Sequence, residues 1–250
     1  MAMQKCFAAA PPRFRIVAWS NRLKMTFWKR LKASGDRRFV FLFILLLSDL
    51  LIYPYASESR IAYEWFRLFG AFITFLCVYA VSFRRSTLMV AILLAVPVGI
   101  HRIILPVDLN PSTLAMMGLI LGVIFDVFIL VIIFRRVIRA ETIDSAAIFG
   151  ALCVYLIAGF AFARVYFFLV ALQPGAFYLD PAINHHTVPN SFDLVYYSFT
   201  TMTSLGAAGI SPVSHQARSF TLIESILGVL YLAVLVSRLV TSYKAPDFSE

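Results

Sequence analysis

The residues of this chain that are best suited to chemistry lie in one stretch, residues 191–212, between two long apolar segments. Hydroxyl side chains recur along it, and a Gly-Ala-Ala-Gly turn and an Ile-Ser-Pro run follow them. Backbone carbonyl and hydroxyl oxygens can replace the water shell of an ion. No nucleophile–base arrangement, nucleotide-binding loop or zinc motif occurs in the sequence. We therefore predict a protein that is not an enzyme and that carries no metal or other cofactor.

The first part of this stretch, Ser191 to Ser204, is predicted to be a short helix because its apolar residues recur at helical spacing. Ser191 is the predicted cap, and Asp193 lies in the first turn, where a negative charge suits the helix dipole. About fourteen residues are too few to cross a bilayer, so the chain must enter and leave on the same side. Irregular backbone survives at membrane depth only when it is buried in protein or lines water, so the return through Pro212 predicts a pore or cavity. An amphipathic surface helix and a gap-filling hairpin in a transporter are the alternatives.

The composition predicts a membrane protein. The chain is 61% hydrophobic, with a mean hydropathy of +0.84, whereas soluble domains are about 45–50% apolar. Six segments are long and apolar enough to cross a bilayer as helices, at about 39–56, 64–83, 87–105, 112–134, 143–172 and 217–243. The predicted fold is an all-α membrane protein with six transmembrane helices and a re-entrant helix and loop between helices five and six. Its predicted surroundings are the lipid bilayer.

The distribution of basic residues predicts the orientation of the chain. Of the 22 Lys and Arg, ten lie in residues 1–38, and further clusters follow segments two and four. The positive-inside rule then places both termini in the cytoplasm, as in a multi-pass protein of the cell inner membrane. The net charge of +9 is explained by topology, so no nucleic acid partner is expected. Charges continue to Arg38, which disagrees with a cleavable signal peptide.

The re-entrant stretch resembles the pore loop of tetrameric potassium channels, whose signature is T-x-x-T-x-G-Y-G-D. Four residues stand in register with that signature: Thr201, Ser204, Leu205 and Gly206. Residues from about 143 to 243 resemble the outer helix, pore loop and inner helix of this superfamily, and the whole chain resembles small bacterial six-helix potassium channel-like proteins. The resemblance implies a homotetrameric ion channel that conducts a monovalent cation, with K⁺ as the first candidate.

The resemblance also assigns parts of the chain to roles. The implied selectivity filter consists of Thr203, Ser204, Leu205, Gly206, Ala207, Ala208 and Gly209, and the implied pore-helix residues include Asp193, Tyr197, Thr200 and Thr201. Residues 141–250 are the implied pore domain, 39–140 a four-helix transmembrane bundle, and 1–38 a basic cytoplasmic arm. The fourth segment has no repeating basic residues, so the bundle lacks the charge pattern of a voltage sensor.

The implied filter departs from the family pattern at three positions. Ala207, Ala208 and Gly209 stand where the family has Tyr, Gly and Asp. A filter with stacked carbonyl rings requires left-handed backbone at alternate positions, and an alanine costs about 1–2 kcal/mol there. We therefore expect reduced selectivity, with inner ion sites formed by Ser204 and the carbonyls of Leu205 and Gly206. The alternative is a non-conducting structural or regulatory membrane subunit that retains the channel scaffold.

Polar residues inside the apolar segments are expected to pair with each other. The predicted pairs are Asp126 with Arg164 and Asp49 with Arg102, and pore-lining or proton-relay roles are the alternatives. Glu224 is predicted to support the pore loop from the inner helix. Gly228 stands where inner helices of the family often bend during gating, so it is a predicted hinge, and close packing against the pore helix is the alternative explanation.

Overall fold

The computed structural model describes residues 37–241 except 57–59, 83–84, 105–112, 141–143, 185 and 207–208. The described residues from 38 onward belong to one compact unit. The predicted N-terminal arm, apart from its last two residues, lies outside the described residues. So do Ala207 and Ala208 of the predicted filter, which means that their backbone conformation stays a prediction.

Helices make up most of the described residues, and one lies over each of the six predicted segments. Their bounds are α1 Arg37–Ala56, α2 Arg60–Ala80, α3 Arg85–Ile104, α4 Thr113–Arg139, α5 Ser145–Leu172, α6 Pro181–Asn184, α7 Ser191–Met202 and α8 His215–Thr241. Among the described residues, five helices are long and apolar enough to cross a membrane, namely α1, α3, α4, α5 and α8. The class of all-α membrane protein is therefore supported. The crossing by α2, which has 21 residues, and the re-entrant path of α7 stay predictions.

A hydrophobic core joins the first five helices. Phe39, Leu42 and Leu46 lie on one stripe of α1 and are buried against the other helices of the bundle. Ile129 and Ile133 of α4 meet this stripe and have no exposed surface. These positions recur every three or four residues, which is the spacing that keeps side chains on one face of a helix. The core thus holds α5 against the bundle and gives the following segments a fixed support.

The connection from α5 to α7 contains regular structure. It contains the strand β1 Phe177–Leu179, which pairs antiparallel with β2 Ile210–Pro212. The carbonyl of Ala176 extends this pairing, since it accepts hydrogen bonds from the N–H groups of Val213 (2.8 Å) and Ser214 (3.2 Å). The chain that returns from the predicted filter is therefore tied to the chain that leaves α5.

Candidate pore module

The candidate site is built on α7, which is the predicted pore helix and has twelve residues instead of fourteen. Its cap is Asn190, so the prediction of Ser191 as the cap is wrong by one position. The Asn190 side chain accepts hydrogen bonds from the N–H groups of Phe192 (2.8 Å) and Asp193 (2.9 Å). Asp193 reciprocates by accepting the Asn190 N–H at 2.7 Å, which completes a capping box. His186 also contacts this carboxylate, with Nε2 2.7 Å from Oδ2.

Small residues on the neighbouring helices let the pore helix approach closely. On α5, a Cβ added at Gly159 would stand 2.6 Å from the Phe199 ring. The Ser198 hydroxyl, which shares its single hydrogen with a second acceptor described below, also lies 2.8 Å from the Gly159 carbonyl. On α8, a Cβ added at Gly228 would overlap the carbonyl oxygen of Met202, the last residue of the pore helix. The pore helix is therefore held between an outer helix, α5, and an inner helix, α8.

Glu224 of the inner helix is completely buried, and its carboxylate joins all three helices of the module. One oxygen accepts a hydrogen bond from Ser198 of the pore helix, and the other accepts one from Tyr166 of the outer helix at 2.5 Å. A buried charge needs such partners because it has lost its hydration. Glu224 was predicted to support the pore loop. In the structure its described partners lie on helices α5 and α7 and not on the loop that follows α7.

The other predicted pore-helix residues lie on the buried face of α7. Tyr197 hydrogen-bonds Thr221 of the inner helix (2.8 Å), and its ring packs edge to face on Tyr166 and Phe177. Thr200 and Thr201 are also buried, and the Thr200 hydroxyl bonds back to carbonyls of its own helix. Tyr197 therefore serves as packing between the helices, and the two threonines bring hydroxyls to the end of the pore helix.

The first predicted filter residues form the end of the pore helix. The N–H of Ser204 donates to the Thr201 carbonyl (2.9 Å), and the N–H of Leu205 donates to the Thr200 carbonyl (2.8 Å). Ser204 has a left-handed backbone, with φ of 58°, so the turn is a Schellman cap without glycine. The Gly206 N–H also reaches the Thr200 carbonyl, at 3.1 Å. The helix end is thereby closed, while the Leu205 side chain remains 77% exposed.

Two glycines of the predicted filter have left-handed backbone. Gly206 has φ of 80°, as expected of the first filter glycine, and Gly209 has φ of 79°. The carbonyl of Gly209 accepts hydrogen bonds from the Asp180 N–H (2.8 Å) and the Asn184 side chain (2.9 Å). A Cβ at Gly209 would also stand 2.8 Å from that Asn184 nitrogen. This side of the loop is therefore bound to the outer connection of its own chain.

The charged residues within the bundle follow the prediction in one case out of two. Arg164 of α5 forms an ion pair with Asp126 of α4, so this pairing is confirmed. Asp49 and Arg102 attract each other but form no direct ion pair among the described residues, so the predicted direct contact is not seen. One oxygen of Asp49 is buried without a hydrogen-bond partner there. The Arg102 guanidinium instead lies against Gly70 of α2, which has no side chain to obstruct it.

Sequence reasoning missed several residues that hold the pore helix, above all Ser198, Gly159 and Tyr166. A buried glutamate signals that hydroxyl donors must lie nearby, but the pore stretch has several hydroxyl residues that could be these donors.

The contacts of Arg238 were also not predictable from the sequence, in which this residue is most simply interpreted as a membrane-surface anchor. The structure shows it donating to the carbonyls of Val137 (2.7 Å) and Ala140 (2.8 Å), which ties the end of the inner helix to the end of α4.

Comparison with known proteins finds one similarity for this module. Residues 150–244, which include most of the outer helix, the pore helix and the inner helix, match a protein family described as ion channel. No curated protein and no solved structure matches the chain. The family match and the five apolar helices together support a membrane ion channel of the pore-loop superfamily, and they suggest a transport protein rather than an enzyme.

Proposed function

We propose that this protein is a cation channel in which four copies surround one pore. Helices α5, α7 and α8 of each copy form the pore domain, and α1–α4 form a peripheral bundle. The proposal rests mainly on one observation. The pore helix packs between an outer and an inner helix, and it ends in an exposed loop that contains many oxygen atoms. The similarity of residues 150–244 to ion channels is the second support.

The end of the pore helix favours a positive ion. Helix dipoles place partial negative charge at the C-terminal end, here at Met202. The hydroxyls of Thr203 and Ser204 lie just beyond this end, and both residues are exposed in a single chain. Partial negative charge and oxygen ligands attract a cation and repel an anion. Because Ala207, Ala208 and Gly209 replace the family's Tyr, Gly and Asp, the pore should discriminate poorly between K⁺ and Na⁺.

The exposed surface of the inner helix favours an assembly. Only 11% of the apolar stretch of α8 is buried within the chain, compared with 56% for α5. One loop cannot encircle an ion, whereas cyclic symmetry of four supplies a ring of loops. In the proposed tetramer, one side of α8 lines the pore and other sides pack against neighbouring copies. The bias of Lys and Arg supports a location in the inner membrane with both termini in the cytoplasm.

A second candidate is a non-conducting membrane subunit with a channel scaffold. The observation that favours it is the way in which the loop binds to its own chain on both sides of residues 207–208. The N–H groups of residues 204–206 close the pore helix, and the Gly209 carbonyl is bound by Asp180 and Asn184. A conventional filter directs successive carbonyls toward the ion path, so these contacts reduce the number of carbonyls that can line it.

Reconstitution separates the two candidates. The full chain would be purified, its subunit number would be measured by native mass spectrometry, and currents would be recorded in planar bilayers with K⁺, Na⁺ and Cs⁺ salts. The channel proposal expects a tetramer that conducts K⁺ and Na⁺ to a similar degree. A folded tetramer that carries none of the three ions would support the non-conducting subunit, and a particle with other than four chains would contradict the proposed assembly.

A further inference from the structure

A cavity of about 190 Å³ lies between the peripheral bundle and the pore module, where α1 and α3 end and α2 and α4 begin. Its wall combines aromatic rings with ionisable side chains, which are Asp49, Arg67, His101, Arg102 and Arg164. The first turns of the pore helix close one side of it through Ser191, Phe192 and Val195. Charged groups inside a membrane bundle are costly, so they pair with one another or face water or a ligand.

Two of the three arginines are already compensated by the protein. Arg67 bonds both oxygens of Glu64, at 3.0 and 3.1 Å, and donates to the backbone carbonyls of Arg102 and Ile103. Arg164 is paired with Asp126, which borders a smaller cavity next to this one. The charges of these two arginines are balanced within the protein, so few of their hydrogen-bond donors are left for a ligand.

Asp49 and Arg102, by contrast, attract each other across the wall without forming a direct ion pair among the described residues. Oδ1 of Asp49 and Nε2 of His101 are buried and lack hydrogen-bond partners among the described residues. The guanidinium of Arg102 likewise makes no hydrogen bond or ion pair within the described part of the chain, although its backbone carbonyl binds Arg67. Buried polar groups are almost always satisfied in native proteins. Asp49 and Arg102 therefore offer one negative and one positive group to a ligand in the same cavity.

Glycines on the neighbouring helices make room for the side chains of His101 and Arg102 beside the cavity. His101 lies directly against Gly118 of α4, and Arg102 lies directly against Gly70 of α2. Any Cβ at these two glycines would overlap the histidine ring or the guanidinium. A third glycine, Gly122, accommodates Arg164, whose Cδ would stand 2.8 Å from an added Cβ. The side chains of His101 and Arg102 are thus seated against helix backbones beside the cavity, instead of extending into lipid.

We propose that this cavity binds a zwitterionic group, which carries an acid group and an ammonium on an apolar body. Arg102 receives the acid group, the carboxylate of Asp49 receives the ammonium, and Phe66, Phe160 and Phe167 contact the apolar part. An anion alone would meet the carboxylate of Asp49, and a cation alone would meet Arg102 without compensation. The zwitterion could come from a soluble amino-acid-like molecule or from a phosphatidylethanolamine headgroup.

Binding to the purified full-length protein tests the proposal and distinguishes the two sources without depending on ion conduction. Delipidated protein in detergent would be titrated with L-leucine and, separately, with short-chain phosphatidylethanolamine, while its unfolding temperature is measured. The controls for leucine are isopentylamine and 4-methylpentanoate, which each lack one of its charges, and the control for the lipid is short-chain phosphatidylglycerol. Stabilisation by leucine above both controls identifies a soluble zwitterion. Stabilisation by phosphatidylethanolamine alone identifies the headgroup.

Variants test which residues bind the two charges. Asp49→Asn and Arg102→Gln remove one charge each at similar size, and each should weaken binding of the effective zwitterion by at least about tenfold. Arg135→Gln, at an exposed position near the other end of α4, is the matched control and should bind like the wild type. The proposal is overturned if neither zwitterion exceeds its controls, or if folded Asp49→Asn and Arg102→Gln proteins bind as the wild type does. If a variant does not fold, the comparison of probes on the wild type decides alone.

Discussion

Gly228 of the inner helix lies against the backbone carbonyl of Met202, the last residue of the pore helix. An added Cβ would overlap that oxygen and stand 2.7 Å from Cγ of Met202. The same carbonyl accepts a hydrogen bond from Tyr155 of the outer helix at 3.3 Å. The end of the pore helix is therefore fixed from two sides. This contact gives Gly228 a packing role, and its additional use as a gating hinge stays a prediction.

Replacing Gly228 by alanine should destabilise the pore module. Overpacking of a close contact typically costs about 1–3 kcal/mol, and the carbonyl of Met202 cannot move as a flexible side chain would. Gly99→Ala is the matched control, because a Cβ there meets only the Phe75 ring at 3.8 Å and alanine favours a helix. Denaturant unfolding in detergent should show a loss for Gly228→Ala and none for Gly99→Ala. Equal effects of the two substitutions would contradict the packing role.

The contact between Ser198 and Glu224 should stabilise the module more than an ordinary serine does. Ser198→Ala removes one of the two described donors to a buried carboxylate, and we expect a loss of about 1–3 kcal/mol in unfolding free energy. Ser48→Ala is a suitable control, since the Ser48 hydroxyl bonds only the Ile44 carbonyl of its own helix at 2.8 Å. If Ser198→Ala unfolds at the same denaturant concentration as Ser48→Ala, the carboxylate does not depend on this donor.

The cap of the pore helix offers a direct comparison of neighbouring residues. Asn190→Ala removes the side chain that bonds the N–H groups of Phe192 and Asp193, and we expect a loss of about 0.5–2 kcal/mol. Ser191→Ala should cost less than about 0.5 kcal/mol, because Ser191 is the first helical residue and not the cap. Thermal unfolding of the two variants measures the difference. A greater loss for Ser191→Ala would reverse the assignment of the cap.

Residues 207–209 of the predicted filter should affect ion selectivity and folding stability through different positions. Ala207→Tyr with Ala208→Gly restores two family residues and should raise the preference for K⁺ over Na⁺ in reversal-potential measurements. Adding Gly209→Asp should then cost at least about 1–2 kcal/mol per chain, because Gly209 has φ of 79° and faces Asn184. Unfolding of the double and triple variants tests this cost. A triple variant as stable as the double would mean that the loop adapts freely at residue 209.

The sequence predicted the features that a bilayer imposes on a chain. Apolar length located the helices because a crossing requires about twenty such residues, and the need of buried charges for partners found the pair of Asp126 and Arg164. The cap of the pore helix was a local signal that was overlooked, since Asp193 follows Asn190 at the capping-box spacing. Features that depend on distant contacts were not predictable. The three-residue strands β1 and β2 lack a periodic pattern and pair across the whole pore helix. The partners of Glu224 likewise depend on how the three helices meet.

Cysteine accessibility at Leu205 tests the central claim, conduction through the loop at the end of the pore helix, most directly. The Leu205 side chain is 77% exposed at this end, whereas Tyr178 is 56% exposed on β1 of the outer connection. Leu205→Cys and Tyr178→Cys would each be made in protein whose Cys6 is replaced by serine. The current through each variant would be recorded in planar bilayers before and after addition of a positively charged thiol reagent. We predict a cation current that the reagent blocks in Leu205→Cys and leaves largely unchanged in Tyr178→Cys. The absence of any current, or a current that modified Leu205→Cys still carries in full, would contradict the account.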